Sequence, residues 1–174
     1  MATMVILVNG LPGSGKSTLA IQLADALSVP VLSKDAIKES VADALEWPVE
    51  LSGPLGAASM EMAWSLAATL KGTVVLESWW FRPRDLGHAQ RAIERIGSPR
   101  VVEIWCTVAP GIARTRVQER QRHRIHPDAD RLAMDWPKWS TQARPLGLGP
   151  VVPVETGTPV NMTALIEELR TLLA

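Results

Sequence analysis

Eight residues near the start of the chain, Gly10-Leu-Pro-Gly-Ser-Gly-Lys16-Ser17, follow the spacing G-x-x-x-x-G-K-S. Glycines at 10, 13 and 15 allow the backbone to curl until successive N–H groups converge on one point. Lys16 adds a mobile ammonium, and Ser17 adds a hydroxyl able to ligate Mg²⁺. A helix beginning at Lys16 directs its positive end at the same point. An anion with several phosphates is the natural occupant, so ATP or GTP with Mg²⁺ is expected. Its contacts are Gly10, Gly13, Ser14, Gly15, Lys16 and Ser17. Thr18 either reaches the α-phosphate or caps the helix. A chance glycine turn would lack the flanks found here: a short apolar run before the loop and an amphipathic stretch after it.

Further charged residues could complete a phosphoryl-transfer site. Asp35 follows the second apolar run and opens a helical stretch. From there a carboxylate can accept the proton of an attacking hydroxyl, or simply complement a helix dipole. Glu77 ends the apolar run Thr73–Leu76. An acid at such a strand end can hold Mg²⁺ beside Ser17. Arg114, Arg116, Arg120, Arg122 and Arg124 are interrupted only by one acid, Glu119. Such a cluster repels itself unless an anion neutralises it, and a triphosphate would do so. His123 and His126, set among these arginines, read as solvated. On the acceptor side, Trp79, Trp80 and Trp136 can stack on a flat substrate, and Arg82 can clamp an anion. Trp64, Trp105, Met60 and Met62 read as core.

The chain has 174 residues, with 18 Lys+Arg against 18 Asp+Glu. That length suits a single domain, residues 1–174. The balance is uneven along the chain. Residues 1–81 hold four Lys and eight acids, and residues 82–131 hold eleven Arg and six acids. No basic stripe lies outside the arginine segment, which disfavours nucleic acid as a partner. A single cysteine, Cys106, excludes a disulfide framework. No apolar run is long enough for a membrane span, and the start lacks a secretory pattern, so a cytoplasmic location is expected.

The elements that must position these groups follow from periodicity. Short apolar runs predict strands over Met4–Val8, Val29–Leu32, Thr73–Leu76, Val101–Cys106 and Val151–Val154. Helical spacing covers Lys16–Leu27, Asp35–Leu45, Leu55–Leu70, Asp85–Ile96, Ala109–Arg120 and Thr163–Leu173. Trp47–Pro54 and Gln121–Pro127 read as loops, and Asp128–Arg144 is ambiguous. Strands alternating with helices imply an α/β, three-layer fold: a five-stranded parallel sheet with helices on both faces. The strand-to-helix loops, which carry the candidate residues, then share one sheet edge.

The segments GLPGSGKST, SKDAIKE, VVLES, WWFRP, ERQRHRIHPDAD and VVPVETGTPV, in this order, resemble small bacterial P-loop kinases. That group includes chloramphenicol phosphotransferase and the AAA-type predicted kinases of actinobacteria. Gluconate and shikimate kinases, zeta toxins and phage polynucleotide kinase are more distant relatives. The resemblance implies a P-loop kinase fold with an Arg-rich lid at about residues 116–130. It implies that Asp35 is the general base and that Lys38 touches substrate. It places Arg116 and Arg120 on the nucleotide, makes Arg120 and Arg124 candidates for catalytic charge, and sets Thr156 beside the nucleobase. Lys38 stands where arginine is common, and the lid proline is displaced to Pro127. The reaction implied is transfer of the γ-phosphate of Mg·NTP to a small-molecule hydroxyl, an antibiotic of the chloramphenicol or capuramycin type or a nucleoside. Alternatives are a polynucleotide 5′-hydroxyl kinase, a zeta-type toxin and a non-catalytic nucleotide switch. The free lid is expected to be mobile and self-repelling until triphosphate arrives.

Overall fold

The computed structural model describes residues 2–173. Strand β1 (Ala2–Gly10) lies at the centre of a five-stranded sheet. The others are β2 (Val31–Ser33), β3 (Gly72–Glu77), β4 (Arg100–Thr107) and β5 (Val151–Glu155), in the order β2-β3-β1-β4-β5. Every pairing is parallel, so all strand C-termini share one edge. The register sets Val8 beside Glu77 and Ser33 beside Glu77 on its other flank. The phosphate loop, Ser33 and Glu77 are therefore neighbours by sheet geometry alone.

Alternation along the strands divides the core in two. Val5, Leu7, Val74, Leu76 and Val101 face α3 (Ser52–Thr69) and α4 (Arg82–Arg95), meeting Ala63, Trp64, Ala67, Ala89 and Ala92. Ile6, Val8, Val75, Val102 and Ile104 face α1 (Lys16–Leu27) and α8 (Met162–Leu173), meeting Leu19, Leu23, Leu165 and Leu169. Helix α2 (Lys34–Ala44) follows β2 directly, and α5 (Pro110–Glu119) follows β4. The stretch 128–144 resolves into α6 (Asp128–Met134) and α7 (Trp136–Gln142). Among the described residues, no helix is long and apolar enough to cross a membrane.

Most element boundaries shift by a residue or two from the periodicity, and three of these departures bear on the site. Strand β2 runs to Ser33, because its ladder partner is the end of β3. The predicted loop 47–54 holds a 3-10 turn, Val49–Leu51, and the first residues of α3. Pro54 is tolerated there because the first turn of a helix needs no N–H from it. Helix α4 starts at Arg82, with Pro83 in its first turn for the same reason. Of the two methionines read as core, Met62 is exposed, whereas Met60 packs against the core and also lines the cavity described below.

Candidate functional site

The phosphate loop has the backbone its glycines require. Gly10, Gly13 and Gly15 have φ of 153°, 81° and 82°. A Cβ on Gly13 would lie 2.2 Å from the Ala113 carbonyl oxygen. Gly15 precedes the first turn of α1 and supplies no capping side chain, so the turn's N–H groups remain available to an anion. Two side chains brace the loop from behind. Thr156 Oγ1 donates to the Ser14 and Thr107 carbonyls, and an Arg116 guanidinium nitrogen lies 3.5 Å from the Gly13 carbonyl oxygen. Thr18 is exposed and does not line the cavity.

Glu77 lies beneath this loop and is 1% exposed. Ser17 Oγ donates to one of its oxygens at 3.1 Å and Ser33 Oγ to the other at 2.7 Å. Lys16 Nζ is 3.8 Å from the same carboxylate. Ser33 also caps α2, its Oγ accepting from the Ala36 N–H. One serine thus ties the carboxylate at the end of β3 to the start of the helix that carries Asp35. A Ser hydroxyl and a carboxylate are hard oxygen donors of the kind Mg²⁺ prefers, so the donor set fits that ion.

Asp35 stands in the first turn of α2 and lines the same cavity, of about 1020 Å³, as Lys16, Ser17 and Glu77. Lys34 Nζ donates to it at 2.8 Å, and Arg122 forms a second ion pair with it. Burial pushes the Asp35 carboxyl up, but the charges of Lys34 and Arg122 outweigh this and hold it well below the usual carboxylate range.

The arginine segment is docked rather than self-repelling. Arg120 and Arg122 both pair with Asp128, at 2.8 and 3.1 Å, and Arg122 continues to Asp35. Ile125 is buried between Ala42 of α2 and Leu55 of α3. His123 and His126 are not merely solvated: they meet Asp43 at 2.8 Å and Glu39 at 2.7 Å, both on α2. Burial and the Arg122 charge push the His126 imidazole down to about 3, so it is neutral there. The expectation of self-repulsion is thereby corrected for Arg120 and Arg122, whose charges meet carboxylates of this chain, and Ile125 between them and α6 is buried.

Four other expectations are corrected by packing. Lys38 does not reach the cavity. It is fully buried, donating to Ser52 Oγ at 2.6 Å and to the Ile125 carbonyl at 3.3 Å. Arg82 points away from the cavity and donates to the Pro145 and Leu146 carbonyls. Arg124 is exposed, and Arg122 occupies the cavity wall in its stead. Trp136 is buried with Leu11, Phe81 and Trp139, and of the α7 pair only Trp139 lines the cavity. Trp79 and Trp80 do line it, together with Trp64.

Burial pushes the Lys38 ammonium down to about 8. Its unfolded value is near 10.5. Between those values the unfolded chain binds more protons, so this residue makes stability rise with pH there; below about 8 its cost is fully present. Lys38→Met should leave the nucleotide KM within about twofold, because the Ser52 hydroxyl still satisfies the Ile125 carbonyl. The same variant should narrow the Tm difference between pH 7 and pH 9.5, as thermal denaturation would read. A lost cavity ligand would instead raise KM and leave that difference alone.

Sequence reasoning missed Glu103. It is fully buried in β4 and accepts from Asn9 Nδ2 at 2.9 Å and from the Leu146 and Gly147 N–H groups. Asn9 Oδ1 in turn accepts from the Gly10 and Trp80 N–H groups. One buried acid therefore couples the phosphate loop, the Trp79-Trp80 wall and the loop after α7. The available signal was an acid inside an otherwise apolar strand run. Cys106, behind the loop, is buried, and burial pushes its thiol up to about 12, which makes it inert.

Comparison with known proteins places this geometry in context. The family described as AAA domain matches residues 5–140. A Chloroflexus aurantiacus protein provisionally described as a kinase is 26% identical, with a TM-score of 0.80 over 99% of this chain and 98% of its own. A gluconokinase from Sinorhizobium meliloti is 20% identical, with a TM-score of 0.56 over 98% of this chain and 93% of its own. A shikimate kinase from Bacteroides thetaiotaomicron is 16% identical, with a TM-score of 0.56 over 98% of each chain. No curated protein matches the sequence. The shared architecture is the P-loop kinase fold.

Proposed function

The chain belongs to the AAA domain family, and from that membership we propose that it is a phosphotransferase moving the γ-phosphate of a nucleoside triphosphate to a small-molecule hydroxyl. The observation that carries this reading is the gathering of the phosphate-loop groups and a carboxylate in one cavity: Lys16, Ser17, Glu77 and Asp35 all line it. The description of the Chloroflexus aurantiacus relative as a kinase supports the same reading.

In this mechanism the acceptor oxygen attacks the γ-phosphorus in line. The bond to the β–γ bridging oxygen breaks, and the hydroxyl proton passes to Asp35. Loop N–H groups and Lys16 hold the phosphates and offset charge that builds on them. Arg120 and Arg122 exchange Asp128 and Asp35 for phosphate oxygens as the triphosphate enters. Removing Arg122 from Asp35 raises the carboxylate's affinity for a proton at the moment it is needed. Ser17 and Glu77 would hold Mg²⁺, which when bound supplies positive charge to the phosphate oxygens. Hydroxyls of antibiotics and nucleosides are the acceptors suggested by the sequence resemblance.

A screen of hydroxylated metabolites and antibiotics, with ATP and GTP in parallel, tests the reading. A phosphorylated product that forms with Mg²⁺ and disappears with EDTA is the expected outcome. Nucleotide binding with no product from any acceptor would reduce the protein to a nucleotide switch.

A further inference from the structure

Resting on the phosphotransferase reading, we infer that Arg131 is a substrate-binding residue whose guanidinium takes a phosphate or carboxylate group of a substrate bound in the cavity. Arg131 stands on α6, is partly buried and lines the cavity. Among the described residues its guanidinium has no hydrogen-bond or carboxylate partner, unlike the other lysines and arginines of that lining. Lys16 faces Glu77, Lys34 faces Asp35, and Arg84 grips Asp85. Arg120 and Arg122 share Asp128. The lining also leaves no carboxylate over for Arg131. Those cations hold four of its acids, Glu39 meets His126 at 2.7 Å, and Glu61 meets Arg95 at 2.7 Å. A partly buried guanidinium has given up some of its water, and here it has gained no ion pair in return. An anion brought by a ligand supplies one, and the planar fork suits the paired oxygens of a carboxylate or phosphate.

The second observation is that Arg131 is held by its backbone rather than by its head group. Its N–H donates to the Pro127 carbonyl at 3.2 Å, and its carbonyl accepts from the Asp135 N–H at 2.8 Å. Leu132, next in the chain, is buried with Phe81, Trp136 and Trp139. Asp128, one turn earlier, is fixed by Arg120 and Arg122. The stem is anchored while the guanidinium stays free, which suits a ligand contact better than a structural ion pair.

The third observation concerns which substrate carries the anion. Lys38 of α2 is fully buried, and burial, then the charges of Lys34 and Arg131, push its ammonium down; Asp35 offsets only part of this. Charge interactions fade with distance, so Arg131 lies on the α2 flank with Lys34 and Asp35. That is where Asp35 would meet the acceptor hydroxyl. On α3 the cavity is lined there by Gly53, Gly56 and Ala57, which offer Arg131 no polar side chain. The acceptor is therefore the favoured source: an alcohol that also bears a carboxylate or a phosphate.

The test compares the intact protein with Arg131→Gln and Arg131→Lys. Radiolabelled ATP is offered with gluconate, shikimate and glycerol 3-phosphate as anionic alcohols, and with glycerol and uridine as neutral ones. Calorimetry reads MgATP and MgADP binding. Transfer to at least one anionic alcohol is expected. Its KM should rise about tenfold in Arg131→Gln, the worth of one charge-assisted hydrogen bond, and recover partly in Arg131→Lys. The nucleotide dissociation constants and the KM of any neutral acceptor should not change, and Tm should not fall, because the guanidinium has no partner to lose. Weaker MgATP binding with unchanged MgADP binding would assign the anion to the γ-phosphate instead; Arg131 would still bind substrate, and the acceptor would need no charge. Unchanged MgATP binding together with an unchanged KM for the anionic alcohols overturns the inference, as does a lowered Tm in both variants, which marks a structural residue. Transfer to neutral alcohols alone, with MgATP binding unchanged, overturns it and leaves the phosphotransferase reading standing. Where none of the five is phosphorylated, unchanged MgATP binding overturns it too, and the broader reading falls only if the whole hydroxyl library fails.

Discussion

Lys16→Ala is expected to lower phosphoryl transfer by at least about a thousandfold, the scale seen when one charge-stabilising group is removed from a transfer site. Lys16 is the cation at the mouth of the loop whose buried side faces Glu77 at 3.8 Å. Its removal deletes the charge that meets the outer phosphates. It also leaves a carboxylate that is 1% exposed with only the Ser17 and Ser33 hydroxyls. Both changes act against a bound triphosphate, so affinity and turnover should fall together. Lys16→Arg keeps the charge but replaces a compact ammonium with a planar fork, in a loop whose glycines leave no slack; little rescue is expected. Initial-rate kinetics together with calorimetric titration of ATP separate the two losses. Retention of more than a tenth of wild-type transfer in Lys16→Ala would remove this residue from the mechanism.

The parts of this site legible in the sequence are those fixed by local chain. The loop glycines, Lys16 and Ser17 lie within eight residues, and their geometry follows from the strand before and the helix after. Asp35 and Glu77 were legible because each sits where an apolar run stops, and parallel strands end on one edge. The illegible part concerns which way long cations point. Lys38 is decided by Ile125, 87 positions away, and Arg82 by Leu146, 64 away. No periodicity within α2 or α4 encodes those partners. The arginine cluster failed for a related reason. Counting its charges within the segment ignored Asp128 just beyond it and Asp35 across the fold, which together neutralise Arg120 and Arg122. The histidines followed suit, because their carboxylate partners Asp43 and Glu39 lie on α2. Burial was the other blind spot. Tryptophans at a ligand edge looked equivalent, yet Trp136 sits in the base beneath α5 while Trp139 reaches the cavity.

The pairing of Arg122 with Asp35 changes how the acceptor side works. A carboxylate gripped by two cations is a poor proton acceptor. If Asp35 is the base proposed above, the arginine paired with it suppresses it in the free protein. Under the proposed mechanism a bound triphosphate, by offering Arg122 another anion, would couple acceptor and nucleotide through that side chain. Water reaching the cavity alone meets a suppressed base, which would limit futile hydrolysis.

Asp35→Asn separates that chemistry from mere architecture. The substitution keeps the size of the side chain and its ability to accept from Lys34, but removes the charge and the proton-accepting oxygen. Transfer is expected to fall by about a hundredfold to ten-thousandfold, the usual range for general-base removal. ATP affinity should stay within a few-fold, because the phosphate loop, Glu77 and Arg120 are untouched. Stability should change little. The ion pairs lost to Lys34 and Arg122 are partly exposed, and such pairs are worth about 0–1 kcal/mol. Arg122 also retains Asp128. A residue that only anchored the lid would give the opposite pattern: a lowered Tm, faster proteolysis between Arg120 and Asp128, and turnover reduced no further than the loss of folded protein requires. Measuring kcat, the ATP dissociation constant and Tm on one preparation distinguishes the two. If Asp35→Asn transfers phosphate at the wild-type rate, another group takes the hydroxyl proton and the assignment of Asp35 is wrong.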